Sequence, residues 1–360
     1  MKRIFNVAVV ALFAGAVAVS CNGGKSMVTK GNTSEMDTLS YAMGANLGEF
    51  LSTRLAELPF NYEKLEKGLQ TAALGKAKWS AEEAQEVFQS LIGPVNDRFG
   101  QVMRQKQMQQ DSTEVAEPIE IFTSEGERDS LSLAYGINIG NDLRQGRFPI
   151  QIYWYMKGEQ QTRNGEGVMS SEEIAQYLQN YFMVVYPQQE LDKSEAWLAK
   201  MEKKAGVQKS ESGLLYKVVK EGDVSRSATD DRDEVTVHYT GRNRDGEVFD
   251  SSIFENMPKQ RQEMMRQYQP DAFDEKGNII ENEPVTFPLN RVIAGWTEGM
   301  KLVGMGGTII LWIPAELAYG EQGAGQAIGP NEALEFEVEL IDVTPVNQPV
   351  VEETNEVVAE

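Results

Sequence analysis

The sequence predicts an α+β protein: an all-helical N-terminal region built from two repeats, followed by a twisted antiparallel sheet wrapped around one short helix. Two observations carry this prediction. A segment with helical periodicity, DTLSYAMGANLGEFL from Asp37, returns as DSLSLAYGINIGNDL from Asp129, with more than half of its positions identical. Further along, VTVHYTG from Val235 and LEFEVEL from Leu334 alternate apolar and polar residues, which is typical of half-buried strands.

Composition bounds both the number of domains and the available chemistry. A length of 360 residues favours two or three domains. The formal charge of 34 − 55 = −21 argues against nucleic acid as a partner, because phosphate backbones would be repelled. The chain has one cysteine, Cys21, and one histidine, His238, so an internal disulfide and a Cys/His metal cluster are excluded. We therefore expect neither a metal nor another cofactor.

The N-terminus predicts export and lipid anchoring. Residues 1–20 combine Lys2 and Arg3 with a short apolar run and small residues, as a secretory signal peptide does. The run ends against Cys21 in a pattern that resembles a bacterial lipobox, whose cysteine becomes the lipidated first residue; an ordinary signal peptide with a chance cysteine is the alternative. Residues 21–34 are polar and rich in glycine, as a flexible tether should be. We expect an exported protein at the cell envelope, held at the outer membrane through its lipid alone.

Each repeat is predicted to be helical. In the first copy, residues 35–112, apolar side chains recur on one helix face, and Asp37 can cap the helix start. SAEEA from Ser80 and SSEEI from Ser170 each open a further helix with a serine cap and early glutamates. The second copy, residues 127–205, includes a connecting helix at its end.

Glycines occupy matched helical positions in the two copies, namely Gly44, Gly48, Gly136 and Gly140. A glycine inside a helix costs about 1 kcal/mol relative to alanine. These positions therefore indicate close packing, most simply against another helix backbone, with inherited and merely tolerated glycines as the alternative. Such packing could join two chains into a homodimer, or it could join the two copies within one chain as an internal pseudo-dimer.

The second half of the chain carries the chemistry. In VTVHYTG, Val235, Val237 and Tyr239 share one strand face, so His238 lies on the other face and is assigned a structural, solvent-facing role. The final strand, LEFEVEL, places its apolar residues inward and its glutamates outward. Between these strands, NRVIAGWTEGMKL predicts a short amphipathic helix after a turn.

Several motifs of this half, in this order and roughly this spacing, resemble the FKBP-type peptidyl-prolyl cis–trans isomerases: VTVHYTG, GEVFDSS, VIAGWTEGMKL, IPAELAYG and AIGPNEALEFEVELIDV. The resemblance covers about residues 206–344, and we assign residues 206–345 to this domain. The lead-in EAWLAKMEKKAGVQKSESGLLYKV is similar to the junction in exported bacterial members of the macrophage-infectivity-potentiator type, which carry an N-terminal helical dimerisation domain. This chain departs from them by carrying that helical unit twice.

The resemblance implies an apolar pocket for proline. Trp296 would form its floor, and Tyr319 of AYG would donate its hydroxyl to the substrate carbonyl. Asp250 of FDSS would lie near the twisting carbonyl and bond the Tyr239 hydroxyl. Phe287 is assigned as a further wall, although family members often have an aromatic residue two positions earlier, where this chain has valine. The remaining walls would be Tyr239, Phe249, Val292, Ile293, Ile328 and Phe336. Core packing is the alternative for any one aromatic residue alone, whereas the joint pattern favours the pocket.

The implied activity is peptidyl-prolyl cis–trans isomerisation that assists the folding of exported proteins. The substrates would be unfolded chains or peptides that contain proline, and the resemblance also allows macrolide inhibitors as ligands. A non-catalytic chaperone or adaptor built on an isomerase fold is the rival. The retained Tyr319, Asp250, Trp296 and Phe336 favour the enzyme.

A long segment, residues 253–284, separates the FDSS strand from the next one, where family members usually have a short loop. Its QRQEMMRQYQ stretch is compatible with a helix that places Met264, Met265 and Tyr268 close along one side. This insertion would serve as a flap that holds clients beside the pocket, or it would be a decoration that packs on its own domain. Residues 346–360 are predicted to form an acidic tail without a packing role.

Overall fold

The computed structural model describes residues 34–109 and 117–346. The predicted signal peptide, Cys21, nearly all of the tether and nearly all of the acidic tail lie outside the described residues. The chain forms two compact units that divide between Phe182 and Met183. The first unit is helical and the second is built on an antiparallel sheet, which confirms the predicted α+β class.

The first unit consists of helices from both repeats. Within its described residues these are α1 (Glu35–Thr53), α2 (Tyr62–Ala73), α3 (Ala81–Gln109), α4 (Glu125–Gln145), α5 (Ile152–Arg163) and α6 (Ser171–Asn180). A π-helical turn, Tyr181–Val185, follows α6. Throughout the described part of the chain, no helix combines the length and the apolar character needed to cross a membrane.

Serine side chains cap four of these helices, namely α1, α3, α4 and α6. At α1 the cap is Ser34 and not the predicted Asp37, because Ser34 Oγ accepts a hydrogen bond from Asp37 N at 3.1 Å. Asp37 Oδ2 in turn accepts one from Ser34 N at 3.0 Å, so Asp37 completes a capping box as the third helical residue. The caps predicted at Ser80 and Ser170 are confirmed, since each Oγ accepts a hydrogen bond from the backbone N–H three residues later.

The two repeats pair with each other through their glycines. A Cβ on Gly44 of α1 would lie 1.8 Å from the carbonyl oxygen of Tyr155 in α5. A Cβ on Gly136 of α4 would lie 1.9 Å from the carbonyl oxygen of Leu65 in α2. Gly136 follows Gly44 by 136 − 44 = 92 residues and Tyr155 follows Leu65 by 155 − 65 = 90, so the two contacts are equivalent under the repeat.

The remaining matched glycines make contacts that are related by the same pseudo-twofold symmetry between the repeats. Gly48 lies against Glu159 and its equivalent, Gly140, lies against Leu69. The partner helices α5 and α2 carry a further equivalent pair of glycines. A Cβ on Gly158 would clash with the carbonyl oxygen of Tyr41, and a Cβ on Gly68 would clash with that of Leu133. Each first helix of one repeat therefore packs against the second helix of the other, and the close contacts are made within one chain.

The second unit begins with α7 (Tyr186–Met201) and carries the sheet. Its other helices are α8 (Lys259–Tyr268) and α9 (Ala294–Gly299). Its strands are β1 (Gln208–Lys209), β2 (Leu215–Lys220), β3 (Asp223–Ser227), β4 (Glu234–Asn243), β5 (Val248–Ser251), β6 (Val285–Pro288), β7 (Gly304–Met305), β8 (Thr308–Ile313) and β9 (Leu334–Thr344). The main sheet has the order β1-β2-β8-β9-β4-β5, β6 also pairs with β4, and β3 pairs with β7.

The strand β4 organises the site because three strands pair with it. β9 runs antiparallel along one edge of β4. On the other edge, β6 pairs with the first half of β4, where Val237 faces Val285, and β5 pairs with the second half, where Thr240 faces Ser251. The insertion thus leaves and re-enters the sheet at positions only 240 − 237 = 3 residues apart on β4, or about 10 Å.

The alternation predicted from the sequence is confirmed by burial. Val235, Val237 and Tyr239 of β4 are buried, and so are the apolar residues of β9 from Leu334 to Leu340. The short helix α9 lies against this apolar face and packs closely on β8. A Cβ on Gly295 would approach the Ile313 side chain to 2.4 Å, so only glycine lets α9 lie so near the sheet.

The helix α7 is fixed to the second unit by buried polar contacts. Glu190 is 3% exposed and forms an ion pair with Arg244, the residue that follows β4. Ser194 Oγ donates to the Asn331 carbonyl oxygen at 2.7 Å and accepts from Ala333 N at 3.0 Å. The buried carboxylate of Glu190 and the buried hydroxyl of Ser194 are thereby both paired. The boundaries proposed for the individual domains remain a prediction.

We predict that Gly44→Ala lowers the free energy of unfolding of the first unit by about 2 kcal/mol, because the added methyl group overpacks two helix backbones. The matched control is Gly100→Ala in α3, where the new Cβ would meet only the flexible end of Arg104 at 3.5 Å. That change should stabilise the helix by about 0.5–1 kcal/mol. Thermal unfolding followed by circular dichroism measures both.

Because the glycine contacts lie within one chain, the unfolding midpoint should also be independent of protein concentration. A midpoint that rises with concentration, or an alanine at position 44 that is tolerated as well as one at position 100, would contradict the intrachain pairing.

Candidate active site

An aromatic cage forms where α9 meets the sheet. Trp296 lies at its centre, with ring centroids 5.3 Å from Tyr239 of β4, 5.9 Å from Phe287 of β6 and 5.3 Å from Phe336 of β9. The interplanar angles of these contacts lie between 84° and 89°, so the rings meet edge to face, the favoured geometry for aromatic pairs. Phe249 of β5 extends the cage through an edge contact with Phe336 at 5.5 Å.

A glycine makes room for two of these rings. A Cβ on Gly241, the last residue of VTVHYTG, would lie 2.7 Å from both Phe249 Cζ and Phe336 Cε1. Any side chain at this position would therefore displace the rings from the cage. The motif contained this residue, but its role in the cage follows from three-dimensional contacts that no periodicity reveals.

The aliphatic residues implied by the resemblance lie in or against the same core. Ile328 is 5% exposed and belongs to the cluster that includes Trp296 and Phe336. Val292 and Ile293 are half-buried and pack against that cluster at the start of α9. The structure thus brings the apolar residues of the predicted pocket together. Their individual roles in catalysis stay a prediction.

A polar group borders the cage. The Tyr239 hydroxyl donates a hydrogen bond to Asp250 Oδ2 at 2.7 Å, and Asp250 Oδ1 is paired with Arg261. Burial, together with the hydrogen bond to Asp250, raises the pKa of the Tyr239 hydroxyl. Tyr239 is therefore protonated at neutral pH and acts only as a donor towards the carboxylate.

Tyr319 differs from Tyr239 in exposure. Its side chain is 41% exposed, and its hydroxyl has no hydrogen-bond partner among the described residues. Burial of the rest of the ring and the negative charge of Asp250 raise the pKa of this hydroxyl. Tyr319 therefore keeps its proton at neutral pH and has a donor available for a bound molecule.

Sequence reasoning missed three residues that position this site. Arg261 comes from α8 in the insertion, and no motif links it to Asp250. Ser252 Oγ accepts a hydrogen bond from Tyr239 N at 2.9 Å, and Ser251 Oγ donates to the Tyr239 carbonyl oxygen at 2.9 Å. The two serines of FDSS thereby fix the backbone of the cage tyrosine, a role that their hydroxyl chemistry allows but that the motif alone does not specify.

His238 lies outside the cage. It occupies the opposite face of β4 from Tyr239, is half-buried rather than fully exposed to solvent, and its Nδ1 lies 3.2 Å from Ser252 Oγ. This contact joins β4 to the residue that follows β5, on the face of β4 away from the aromatic rings. The geometry therefore agrees with a structural role for the sole histidine.

Comparisons with family models cover both units. The model described as FKBP-type peptidyl-prolyl cis–trans isomerase matches residues 225–341. The model described as the domain amino terminal to FKBP-type peptidyl-prolyl isomerase matches twice, at residues 36–126 and 128–218. The double match confirms that the chain carries the N-terminal unit in duplicate.

Curated relatives agree with these matches. A probable FKBP-type peptidyl-prolyl cis-trans isomerase FkpA of Neisseria meningitidis serogroup B is 36% identical over 61% of this chain and 75% of the relative. The peptidyl-prolyl cis-trans isomerase Mip of Coxiella burnetii is 35% identical over 60% of this chain and 87% of the relative. The aromatic cage, the Tyr239–Asp250 hydrogen bond and these matches lead to one conclusion. The chain belongs to the family of FKBP-type peptidyl-prolyl cis–trans isomerases.

Proposed function

We propose that the aromatic cage binds the proline ring of an exported client chain and catalyses cis–trans isomerisation of the preceding peptide bond. The observation that carries this proposal is the set of edge-on rings around Trp296, bordered by the hydrogen bond between Tyr239 and Asp250. An apolar floor with one carboxylate and one free hydroxyl at its rim suits a ring that must be held while the adjoining amide rotates.

The reaction requires no acid, base or nucleophile. Amide resonance gives rotation about the peptide bond a barrier of about 18–20 kcal/mol. The transition state is a twisted amide that has lost this resonance and whose carbonyl is less polarised. An apolar site destabilises the polar planar amide more than the twisted one, which is differential binding of the transition state. Each tenfold gain in rate takes about 1.4 kcal/mol, so a millionfold gain takes about 8 kcal/mol.

The polar groups supply orientation. The Tyr319 hydroxyl, which is exposed and keeps its proton, donates to a substrate carbonyl oxygen. Asp250 lies near the twisting carbonyl and is held in place by the Tyr239 hydroxyl and by Arg261. The apolar walls exclude water, which strengthens these directional contacts. Macrolide inhibitors are proposed as ligands of the same cage.

We predict that Phe336→Ala and Asp250→Leu each lower kcat/KM for a short Xaa–Pro peptide at least tenfold. The first variant opens the cage wall, and the second removes the charge at the rim of the cage. A tenfold loss in kcat/KM corresponds to about 1.4 kcal/mol of lost transition-state stabilisation. The matched control is His238→Ala on the opposite face of β4, which should stay within about twofold of the parent. A coupled peptide-cleavage assay on the full chain gives these values, and circular dichroism verifies folding.

The rival function predicts a different result from the same proteins. A non-catalytic chaperone would suppress aggregation of an unfolded client yet leave the rate of proline isomerisation at its uncatalysed value. Equal activity of Phe336→Ala and the parent, or inactivity of a folded His238→Ala, would reject the proposed mechanism.

We propose further that the protein is exported and held at the envelope by lipid on Cys21, as the signal-like first residues and the lipobox pattern suggest. The name of one relative, the outer membrane protein MIP of Legionella longbeachae, supports an envelope location. We predict that Cys21→Ser abolishes incorporation of radiolabelled palmitate and releases the protein from the membrane fraction. Retention of label in that variant would contradict lipidation at this residue.

The helical unit is proposed to act without a second chain. Pairing of the two repeats through Gly44, Gly136 and their partners fills, within one chain, the contacts that the glycines open. We therefore favour the internal pseudo-dimer over the homodimer, and light scattering should return the mass of one chain.

A further inference from the structure

The insertion builds a cleft beside the aromatic cage. The cleft has a volume of about 460 Å³, and α8 forms one wall, with the returning segment 280–283 opposite. Its floor is the start of β6 and the junction of β4 with β5, where Val285, Ser251 and Ser252 lie. The cleft therefore lies between the insertion and the catalytic sheet.

One face of α8 lines this cleft. Arg261 and Met265 of α8 border the cleft, and Met257 just before the helix and Gln269 just after it continue the same four-residue spacing along the cleft. No residue of α8 is buried, so this face has no packing partner that covers it. Of the three residues predicted to lie close along one side of the helix, only Met265 lines the cleft, whereas Met264 and Tyr268 are exposed and do not line it.

The insertion has its own small core and so holds the cleft open. Phe254 and Phe273 meet edge to face at 5.0 Å, and the Arg266 guanidinium lies within 5 Å of both ring centroids, at 4.9 and 4.7 Å. Arg266 Nη1 also donates to the Gly277 carbonyl oxygen at 2.6 Å. Asn282 Oδ1 accepts from Phe254 N at 2.7 Å, which fixes the returning segment against the base of the insertion. The walls of the cleft are therefore preformed.

The cleft combines apolar surface with uncompensated negative charge. Met257, Met265 and Ile280 supply apolar side chains, and methionine adapts readily to varied partners. Asp271, Glu281 and Glu283 also line the cleft, and none of them forms an ion pair within the described residues. The only cation in the lining, Arg261, is already paired with Asp250.

Two residues join the cleft to the cage. Tyr239 contacts Trp296 in the cage and also borders the cleft. Arg261 lines the cleft and pairs with Asp250 at the rim of the cage. A chain whose proline occupies the cage therefore has a continuous surface along which its neighbouring residues can run.

We propose that this cleft is a second subsite for the substrate, which binds residues that flank the isomerising proline and favours apolar segments that carry lysine or arginine. The inference rests on the proposed function, because the cage must hold the proline. The methionines and Ile280 contact the apolar side chains, while the three unpaired carboxylates attract the basic ones. Binding energy from such remote contacts raises kcat/KM for long substrates without altering the reacting bond.

The test compares three substrates on the full chain. Two long peptides share the same central Leu–Pro bond and carry either Leu-Lys-Leu or Leu-Glu-Leu on both sides. A short tetrapeptide with the same Leu–Pro bond has no flanks and reports on the cage alone. We expect kcat/KM to be about three- to tenfold higher for the lysine peptide than for the glutamate peptide, and this ratio to fall with added salt.

The decisive variant is Asp271→Asn/Glu281→Gln/Glu283→Gln, which keeps the shape of the cleft and removes its charge. The matched control is Glu211→Gln/Glu263→Gln/Glu275→Gln, which changes the net charge of the same unit equally but alters no cleft residue. We expect the cleft variant to abolish the preference for the lysine peptide and the control to retain it. Both should turn over the tetrapeptide at the parent rate.

A second variant tests the apolar contacts. Met265→Ala/Ile280→Ala should lower kcat/KM for both long peptides about threefold or more, because apolar contacts in the cleft are lost, and should leave turnover of the tetrapeptide unaffected. The matched control is Met264→Ala/Tyr268→Ala, on the outer side of the insertion. It should change kcat/KM for none of the three substrates.

The outcomes separate the cleft from the cage. No preference for lysine in the parent, or the same loss of preference in the charge control, overturns the subsite while tetrapeptide turnover still upholds the proposed function. Absence of tetrapeptide turnover in the parent overturns the proposed function and the subsite with it.

Discussion

The edge-on packing of Trp296 against three strands is the interaction on which the catalytic unit depends. It fixes α9 to the sheet, and it places rings from β4, β6 and β9 around one apolar floor. Small residues make that approach feasible, since Gly295 lets α9 lie against Ile313 and Gly241 leaves space for the rings of Phe249 and Phe336. The same contacts that bury the core therefore shape the site, so that stability and catalysis draw on one set of side chains.

The polar part of the site is supported both by this core and from outside it. Asp250 is held by the Tyr239 hydroxyl on one side and by Arg261 of α8 on the other. The insertion thus contributes both to the rim of the cage and to the cleft next to it. In the helical unit, by contrast, backbone contacts at glycines carry the architecture, and duplication lets one chain supply both halves of the pairing.

Much of this arrangement could be predicted from patterns in the sequence. Period-two alternation predicted which face of β4 and β9 is buried, because strand side chains must alternate between core and solvent. The resemblance to the isomerase family implied that Tyr239, Trp296 and Phe336 would come together, and their rings are in contact. Matched glycines predicted close helix packing, although not its partner, since an absent side chain leaves the same space for any backbone.

Other features could not be predicted. The pairing of α1 with α5 depends on chain path rather than on local sequence. Arg261 reaches Asp250 only because the insertion begins beside β5 and α8 then runs past the cage, and no residue spacing encodes that path. Asp37 was assigned as a helix cap on propensity, yet Ser34, which also favours that position, is placed one turn earlier and takes the role.

The central claim is that this isomerase works by an apolar cage and oriented donors, with no proton transfer. Its most direct test is the pH profile of kcat/KM on a short Xaa–Pro peptide between about pH 6 and pH 9. The account predicts a flat profile, because the only histidine lies outside the cage and the pKa values of Tyr239 and Tyr319 are raised above their ordinary range. A bell-shaped profile, or a single step that vanishes in His238→Ala, would contradict it.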